Sequence, residues 1–480
     1  MPDAWGILFR MIYIKTKRRP TMYKVQFDHP IHIHFIGIGG ISMSGLAEIL
    51  LDRQFTISGS DMRNSDITDH LTSIGAKILI GQKADNITDD IDLVVYTAAI
   101  HDDNPEYAAA VAKGIPMMSR AVLLGQIMDN YSRSIAVSGT HGKTTTTSMI
   151  AHILLEAATD PTISVGGMLD RIHGNIQVGN SDLFLAEACE YTNSFLEFYP
   201  RYSIILNVEK DHMDFFTSLD DIKHSFHQFA SQTAKDGLII INGDMDFAAE
   251  LLEGLPQESV SFGLKDTNYY YAEDIRYDQE GNASYTLFHR GEDEGRIQLQ
   301  VKGIHNVVNS LSAIACAKAI GLSMEDIRHG LLSFGGTKRR FEYKGSLGEI
   351  TVIDDYAHHP TEIEATLASA KYYPHDELWV VFQPHTYTRT KEFLDDFARV
   401  LSQADHVVLA DIYAAREPDT GLVSSGDVFR LIRDQGTDVH YFHSFDEIEK
   451  FLLSRLKGQD MLITMGAGDV YLIGEELLNM

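Results

Sequence analysis

The sequence has 480 residues, of which 44% are hydrophobic and 22% are charged, and this composition is typical of a globular protein with two or three domains. Its formal net charge of −28 excludes nucleic acid and an anionic membrane surface as the main partner, because both attract clustered positive charge. With two cysteines, Cys189 and Cys316, the sequence indicates neither a disulfide framework nor a zinc site, and we expect a reducing, cytoplasmic location.

Residues 1–21 form an unusual N-terminal segment, in which the apolar run Ala4–Ile14 precedes the basic cluster Lys15–Arg19. A secretory signal has its positive charge first, so this order does not indicate export. We expect an extra segment that is disordered or that results from a start upstream of Met22, and a short basic arm is the alternative. No run of about 18 or more apolar residues occurs in the sequence, so we expect no membrane insertion.

Short apolar runs alternate with helical stretches in three series, which begin near Ile31, Ile135 and Ile350. This alternation predicts an α/β protein with parallel sheets and crossover helices. A stretch rich in glycine and basic residues, 334–341, indicates the second of two boundaries. We therefore expect domains at 22–130, 131–338 and 339–480, and a more strand-like region at 258–303.

A glycine-rich turn follows the first predicted strand and precedes a helix, as in a dinucleotide fingerprint. The pattern is imperfect, because Gly40 is an extra glycine and Ser42 stands at the third glycine position. Backbone N–H groups there are expected to bind a diphosphate at the helix N-terminus, and Asp61 is placed to accept a hydrogen bond from a ribose hydroxyl. A nicotinamide oxidoreductase and a turn without a ligand are the alternatives. The residues expected at the diphosphate are Gly37, Gly39, Gly40 and Ser42.

A second glycine-rich turn, the segment from Gly139 to Thr144, follows the strand predicted at Ile135–Val137. It predicts a phosphate-binding loop in which Lys143 neutralises charge and the Thr144 hydroxyl holds Mg²⁺. The two glycines are closer together than in the common phosphate-loop pattern, and a solvated turn is the alternative. The residues expected to contact phosphate in this segment are Gly139, Thr140, His141, Gly142, Lys143, Thr144 and Thr145.

Acidic and imidazole side chains follow two later strands of the second series, at the carboxyl ends where ligand sites cluster. Glu187 is placed to face Thr144 and to complete an oxygen-rich shell for Mg²⁺, with Mn²⁺ as a possible substitute. His212, between Asp211 and Asp214, is a candidate for a second metal or for a phosphate, and an ordinary turn residue is the alternative.

A helix is predicted after Gly303, with Asn306 and Asn309 near its start. The side-chain amides of these two residues can form hydrogen bonds with the donor and acceptor edge of adenine. Asn306 as a simple helix cap is the alternative.

In the third series, the segments 352–360 and 382–389 follow apolar strands and carry many titratable groups. Such loops are candidates for function, and solvated polar loops are the alternative.

Together these segments resemble the Mur ligase family of ATP-dependent, amide-forming enzymes of peptidoglycan precursor synthesis. The resemblance extends from residue 31 to about residue 475. Within the family, the motifs look most like those of members that attach the first amino acid, L-alanine, and members that recycle a tripeptide onto the same UDP-sugar are the nearest rivals. The motifs that carry the resemblance are, in chain order, GIGGISMSG, GTHGKTTTT, EACEYTNSFL, NVEKDHMD, GIHNVVN, KRRFEY, DDYAHHPTE and FQPHTYTRT.

The resemblance implies three domains: a Rossmann-like N-terminal domain that binds UDP-N-acetylmuramate, a central P-loop ATPase domain with a mainly parallel sheet plus a smaller β-sheet, and a Rossmann-like C-terminal domain that binds L-alanine. It implies a monomer or a homodimer. The residues that it implies for catalysis are Lys143, His212, Arg340 and His385, and those for the metal are Thr144, Glu187 and His212. It assigns ATP to the segment from Gly139 to Thr145, together with Asn306, Asn309, Arg340 and Asp355. It places alanine at Tyr356, His385 and Arg389.

Two departures from the family pattern concern the alanine and ATP sites. Close relatives often have Arg where this chain has Thr386, so we expect binding of the alanine carboxylate to depend more on Arg389. Some members carry a carbamylated lysine, but His227 stands nearest the expected place and Lys223 lies outside it.

The general base is unresolved, and His385 is a candidate because imidazole titrates near neutrality. An inactive scaffold is a different-class alternative, which the intact ATP-loop residues disfavour.

Overall fold

The structure is a computed structural model that describes residues 23–97, 99–415, 417–419 and 421–479. The N-terminal segment predicted at 1–21 lies outside the described residues. Contacts divide the chain into two compact units that separate between Asn130 and Tyr131. One sheet belongs to the first unit and two sheets belong to the second. In the part of the chain that the structure describes, no helix is long and apolar enough to cross a membrane.

The first unit contains a five-stranded parallel sheet with the strand order β3-β2-β1-β4-β5. Successive strands lie on opposite sides of β1, so the strand order reverses there, and ligands of such sheets bind at this reversal. The elements are β1 (His32–Ile36), α1 (Ile41–Asp52), β2 (Thr56–Asp61), α2 (Asp66–Ser73), β3 (Lys77–Ile80), a 3₁₀ turn (Ala84–Asn86), β4 (Leu93–Tyr96), α3 (Pro105–Lys113), β5 (Met117–Ser119) and α4 (Arg120–Met128).

Local sequence signals set the limits of helix α3. The Asn104 side chain accepts hydrogen bonds from the backbone N–H groups of Glu106 and Tyr107, and Pro105 occupies the first helical position. Gly114 ends the helix in the left-handed conformation, which glycine adopts without steric cost. The helix therefore begins and ends where its sequence indicates.

The second unit begins with a ten-stranded sheet in the order β15-β14-β13-β12-β11-β10-β6-β9-β7-β8. Its elements are β6 (Arg133–Ser138), α5 (Lys143–Glu156), β7 (Thr162–Leu169), a 3₁₀ turn (Asp170–Ile172), β8 (Gly174–Gln177), β9 (Leu183–Ala188), a kinked 3₁₀ segment (Tyr191–Glu197), β10 (Tyr202–Ile205), α6 (Leu219–Ser231), β11 (Leu238–Asn242), α7 (Ala248–Leu251), β12 (Glu258–Gly263), β13 (Tyr270–Tyr277), β14 (Asn282–His289), β15 (Glu292–Lys302), α8 (Ile304–Ala319) and α9 (Met324–Ser333).

The strand-like region predicted at 258–303 extends this same sheet. Strands β13, β14 and β15 pair antiparallel, whereas β6 pairs parallel with both β9 and β10. Arg290 and Gly291 both have positive φ, at 54° and 80°, which is the geometry of a tight hairpin turn between β14 and β15. The smaller sheet that we expected is thus a continuous antiparallel edge of the large one.

The second sheet of this unit has six strands in the order β16-β17-β21-β18-β19-β20, all parallel except β16. Val380 and Phe382 belong to one buried cluster and Trp379 and Val381 to another, so both faces of the sheet are covered. The elements are β16 (Glu342–Leu347), β17 (Ile350–Asp355), α10 (Pro360–Ala370), β18 (Leu378–Phe382), α11 (Tyr387–Glu392), α12 (Leu394–Leu401), β19 (His406–Leu409), α13 (Ser425–Asp434), β20 (Asp438–Tyr441), α14 (Phe445–Arg455), β21 (Met461–Met465) and α15 (Tyr471–Asn479).

The three α/β sheets confirm the predicted fold class. Helices α5, α8 and α9 supply most of the helical part of the core that covers the large sheet. Because α5 starts at the predicted phosphate-binding loop, its packing against α9 fixes the direction in which that loop points.

We expect Gly330→Ala to destabilise the second unit, because α9 lies closest to α5 at this glycine. A Cβ atom at Gly330 would lie 2.4 Å from the Ile153 Cα atom, so the two helix backbones would have to separate. The expected loss is about 1–3 kcal/mol, measured as the shift of the urea midpoint. Gly335→Ala is the control, because nothing lies within 4 Å of a Cβ atom there. Equal midpoints for the two variants would contradict this account of the helix contact.

Candidate functional site

The loop predicted to bind phosphate connects β6 to α5 and requires glycine at two positions. Gly139 and Gly142 have φ values of 146° and 83°. A Cβ atom at Gly142 would lie 2.8 Å from Oδ1 of Asn309, and one at Gly139 would lie 2.9 Å from Cβ of Leu206. The loop is therefore packed closely against β10 and α8, and its backbone is free to turn toward a ligand.

Lys143, the first residue of α5, is held by a carboxylate of the neighbouring strand end. Its Nζ atom donates to the carbonyls of Gly139 and Thr140 and to Oε2 of Glu190, at 2.6, 3.1 and 2.9 Å. Burial opposes the charged form, but Glu190 outweighs burial and raises the pKa of Lys143. The second oxygen of Glu190, Oε1, is buried without a hydrogen-bond partner and lies 3.6 Å from Nε2 of His212.

Thr144 and Glu187, two of the predicted metal ligands, are in direct contact. The Thr144 hydroxyl donates to Oε2 of Glu187 at 3.2 Å, and the Gly166 N–H donates to Oε1 at 2.7 Å. Burial raises the pKa of Glu187, so this carboxylate gains from a nearby positive charge. The third predicted ligand, His212, contacts Glu190 and stacks on the Tyr191 ring with centroids 4.5 Å apart.

A different trio of side chains, His141, Glu209 and His359, brings its ligand atoms within 4.8 Å of one another. His359 already accepts the Thr361 N–H at Nδ1, at 3.3 Å, and its Nε2 lies 3.0 Å from the Lys210 carbonyl. Because both ring nitrogens are occupied, we interpret the trio as part of a network of ion pairs and not as a metal site.

A cavity of about 330 Å³ lies between the large sheet and helix α10 of the six-stranded sheet, which is the size of a small-molecule site. It contains predicted ATP residues from both sheets. Those that line it are His141, Gly142, Thr145, Asn306, Asn309, Arg340 and Asp355.

The amide of Asn306 does not cap helix α8. Gly303 is the N-cap residue and makes no side-chain cap, whereas Asn306 donates from Nδ2 to the Lys302 carbonyl at 2.8 Å. Asn309 in turn donates to Oδ1 of Asn306 at 3.1 Å. The capping alternative is therefore wrong, and the two amides form a connected pair at the cavity wall.

Glu362, which we did not single out from the sequence, is the carboxylate that joins the two sheets at this cavity. It accepts from Nη1 of Arg340 at 3.2 Å and from the His358 N–H at 3.1 Å, and its Oε1 lies 3.3 Å from Nδ1 of His141. Burial opposes its charge, but the neighbouring cations hold the pKa of Glu362 well below its usual range. An acidic residue in the first turn of a helix is common, so nothing in the sequence distinguishes Glu362 from an ordinary helix residue.

Asp355, at the end of β17, is almost fully buried and supports the loops around it. It accepts hydrogen bonds from the N–H groups of Phe341 and Ala357 at 2.9 and 2.8 Å and from the Thr366 hydroxyl at 3.0 Å. Burial raises the pKa of Asp355 to about 6. Its carboxylate therefore fixes the segment that carries Arg340.

The predicted alanine residues His385 and Arg389 touch each other, with Nδ1 and Nη1 3.1 Å apart. Tyr356 lies farther along a chain of rings, 5.4 Å from His358, which lies 5.6 Å from His385. Our expectation that His385 titrates near neutrality is not met, because burial and the adjacent Arg389 lower its pKa to about 4. His385 is thus a neutral imidazole at pH 7 that accepts from the guanidinium.

In the first unit, the glycine-rich turn is held by the end of β2. The N–H groups of Gly37 and Ile38 both donate to the Ser60 carbonyl at 2.9 Å. The Gly39 N–H donates to Oδ2 of Asp61, also at 2.9 Å, so Asp61 stabilises the turn in addition to the ribose contact predicted for it. Gly40 is the N-cap residue of α1 without a side-chain cap, and Ser42 is exposed in its first turn.

Three family models match consecutive parts of the chain. Residues 32–132 match the model described as Mur ligase family, catalytic domain, residues 137–317 match the Mur ligase middle domain, and residues 339–468 match the Mur ligase, glutamate ligase domain. The matches follow the order of the three sheets.

Full-length relatives are similar to the chain over almost its whole length. It is 61% identical over 457 residues to a UDP-N-acetylmuramate–L-alanine ligase of Agathobacter rectalis, covering 95% of this chain and 100% of that protein. A structure of a UDP-N-acetylmuramate–alanine ligase from Thermotoga maritima has a TM-score of 0.76 at 30% identity, covering 94% of this chain and 98% of that one. A murein peptide ligase from Psychrobacter arcticus has a TM-score of 0.67 at 28% identity, with the same coverage of 94% and 98%.

We expect His141 to stabilise the protein in a pH-dependent way. Burial opposes its charge, but Glu362 and Glu209 raise its pKa from 6.5 to about 9. The folded state therefore binds this proton more tightly than the unfolded state, and the stabilisation is complete below pH 6.5 and is lost as the pH rises to about 9. The loss is about 3 kcal/mol.

Urea midpoints of the wild type and of His141→Gln, measured across this pH range, test the expectation. The difference between the two proteins should shrink as the pH rises, because only the wild type loses a proton from this ring. A difference that is constant from pH 6 to pH 9.5 would contradict it.

Proposed function

The chain belongs to the Mur ligase family, as its motifs predict, and we propose that it ligates L-alanine to the lactyl carboxylate of UDP-N-acetylmuramate at the expense of ATP. This is the first amino-acid addition in the synthesis of the peptidoglycan precursor, and we place it in the cytoplasm. The observation that carries the proposal is the cavity in which a phosphate-binding loop and Arg340 meet, in a chain that matches full-length UDP-N-acetylmuramate–L-alanine ligases.

ATP is the substrate assigned to the cavity of the second unit. Lys143 exchanges Glu190 for phosphate oxygens, and Arg340, which lines the cavity, neutralises further phosphate charge. Asn306 and Asn309 face adenine, because their linked amides offer both donors and acceptors at the wall. Lys143 and Arg340 thus hold the phosphate chain in position, which is the main contribution of a protein to phosphoryl transfer.

The residues fit a Mg²⁺ ion beside the phosphates. Thr144 and Glu187 offer a hydroxyl and a carboxylate, the oxygen donors that Mg²⁺ prefers, and a Cβ atom at Gly166 would lie only 2.5 Å from Oε2 of Glu187. His212, the third residue assigned to the metal, lies beside Glu190, with its Nε2 atom 3.6 Å from Oε1 of that residue. When bound, the metal supplies neutralisation of the phosphate oxygens. Glu187 and Thr144 hold the position into which it fits.

The reaction proceeds by phosphoryl transfer and then by acyl transfer. A carboxylate oxygen of UDP-N-acetylmuramate attacks the γ-phosphorus of ATP, and ADP leaves. The neutral amine of alanine then attacks the carbonyl carbon of the acyl phosphate, and the tetrahedral intermediate expels inorganic phosphate while the amine loses a proton. Lys143 and Arg340 stabilise the negative charge of both the transferred and the leaving phosphoryl group.

The alanine carboxylate is assigned to Arg389, with Tyr356 and His385 beside it. A neutral His385 with a pKa of about 4 is a weak base for an ammonium group, so its role in this account is to orient Arg389 through Nδ1. In the first unit, the backbone of the Gly37–Gly40 turn and Ser42 at the start of α1 bind the diphosphate of UDP-N-acetylmuramate.

Phosphate release tests the proposed function. Purified protein receives ATP, Mg²⁺ and UDP-N-acetylmuramate, together with no amino acid, L-alanine, or the tripeptide L-Ala-γ-D-Glu-meso-diaminopimelate. We expect strong stimulation by alanine alone. Stimulation by the tripeptide alone would instead identify a tripeptide-recycling ligase, and no stimulation by either would favour a non-catalytic protein.

A substitution at Glu187 tests the metal assignment. Glu187→Gln keeps the shape of the side chain but removes its charge, so we expect the Mg²⁺ concentration for half-maximal activity to rise at least about tenfold. Glu156→Gln, at the other end of α5, is the matched control because Glu156 pairs with Arg171. Equal Mg²⁺ dependence of both variants would contradict the assignment of Glu187.

A further inference from the structure

Arg389, the residue assigned to the alanine carboxylate, is bound to a carboxylate of the protein itself. Its Nη2 and Nε atoms donate to Oδ1 of Asp211 at 2.7 and 3.2 Å. Both side chains are more than nine-tenths buried, with relative exposures of 9% and 7%. Asp211 follows β10 of the large sheet, whereas Arg389 lies on α11 of the six-stranded sheet, so the pair joins the two sheets.

The space beside this pair is too small for an amino acid. A cavity of about 20 Å³ lies between Asp211, Thr386 and Arg389. That volume accepts one water molecule but not alanine. Alanine therefore needs both more room and a free guanidinium edge, and the same movement of Asp211 provides both.

Arg339, which is partly buried with a relative exposure of 24%, is an arginine that the backbone holds in place. Arg339 binds Asp354 at 3.0 Å and also donates to the carbonyls of Gly468 and Gly466 at 3.1 and 2.8 Å. Backbone carbonyls thus fix Arg339 in place. Arg389 instead donates to two side chains, Asp211 and His385, which can move without a change of the backbone.

Asp211 also has another partner to which it can turn. Its second oxygen, Oδ2, lies 3.8 Å from Nε2 of His212. The carboxylate also accepts the His212 backbone N–H at Oδ1, at 2.7 Å, so it keeps a hydrogen-bond donor beside it after it leaves Arg389. The exchange does not leave a buried carboxylate without a partner, which keeps its free-energy cost low.

We propose that Asp211 occupies the place of the alanine carboxylate on Arg389 and that alanine binds by displacing it. This inference rests on the proposed function. Asp211 is then a positioning residue that sets the apparent affinity for the amino acid, because only the fraction of molecules with a free Arg389 is competent to bind. A ligand that carries a carboxylate can replace Asp211 on Arg389 and bind, whereas a neutral amine cannot.

Steady-state kinetics of Asp211→Asn test the proposal. The amide keeps the shape of the side chain but pairs less strongly with Arg389, so we expect the KM for L-alanine to fall about five- to tenfold while the KM for ATP stays unchanged. Asp214→Asn is the matched control. Asp214 borders the same small cavity, but its carboxylate accepts from the Tyr191 hydroxyl at 3.0 Å. A KM for alanine that rises or stays the same in Asp211→Asn would overturn the proposal.

A crystal structure of the wild type with L-alanine and a non-hydrolysable ATP analogue decides the matter if the variant is inactive or unfolded. We expect the alanine carboxylate on Arg389 and Asp211 beyond hydrogen-bond distance from it. An intact Asp211–Arg389 pair in the presence of bound alanine would overturn the proposal. A wild type whose phosphate release does not depend on alanine would instead contradict the proposed function itself.

Discussion

A buried carboxylate between two sheets, Glu362, is the constraint on which the candidate site depends. Removing one partner of a buried ion pair typically costs about 3–5 kcal/mol, so the charges around Glu362 hold one another in place. Arg340 approaches it from the segment before the six-stranded sheet, and His141 approaches it from the phosphate-binding loop of the large sheet. The two sheets therefore meet at the point where ATP is assigned.

The same arrangement recurs at each cation to which a substrate anion is assigned. Lys143 is paired with Glu190, Arg340 with Glu362, and Arg389 with Asp211. A buried ammonium or guanidinium group needs a counter-charge, and the protein supplies one in the absence of substrate. Substrate binding is then an exchange of anions at Lys143 and Arg389, where phosphate and carboxylate groups replace Glu190 and Asp211, whereas the Arg340–Glu362 pair stays in place.

Much of this fold follows from the sequence, because the signals for it are local. Alternating apolar runs predicted three α/β sheets, and Gly139 and Gly142 predicted a tight turn before α5, where both have positive φ values. Pairing of β13 with β12 was not predictable, because a hairpin region gives no sign of the sheet edge that it joins. The antiparallel strands therefore extend the large sheet instead of forming a second one.

The long-range charge pairs in the site could not be predicted from the sequence. The motifs contain the acidic residues of these pairs, Glu190, Asp211 and Glu362, but their partners are distant in the chain. The local sequence around an acidic residue does not show whether its side chain is solvated or paired. The low pKa of His385 has a similar origin, because burial and Arg389 become visible only in three dimensions.

Transfer of an oxygen isotope tests the central claim that the γ-phosphate of ATP passes to the substrate carboxylate. UDP-N-acetylmuramate labelled with ¹⁸O in both carboxylate oxygens is incubated with the protein, ATP, Mg²⁺ and L-alanine, and the products are analysed by mass spectrometry. We expect one ¹⁸O atom in each molecule of inorganic phosphate, because the acyl phosphate breaks between carbon and oxygen. Unlabelled phosphate, or label recovered in AMP, would contradict it.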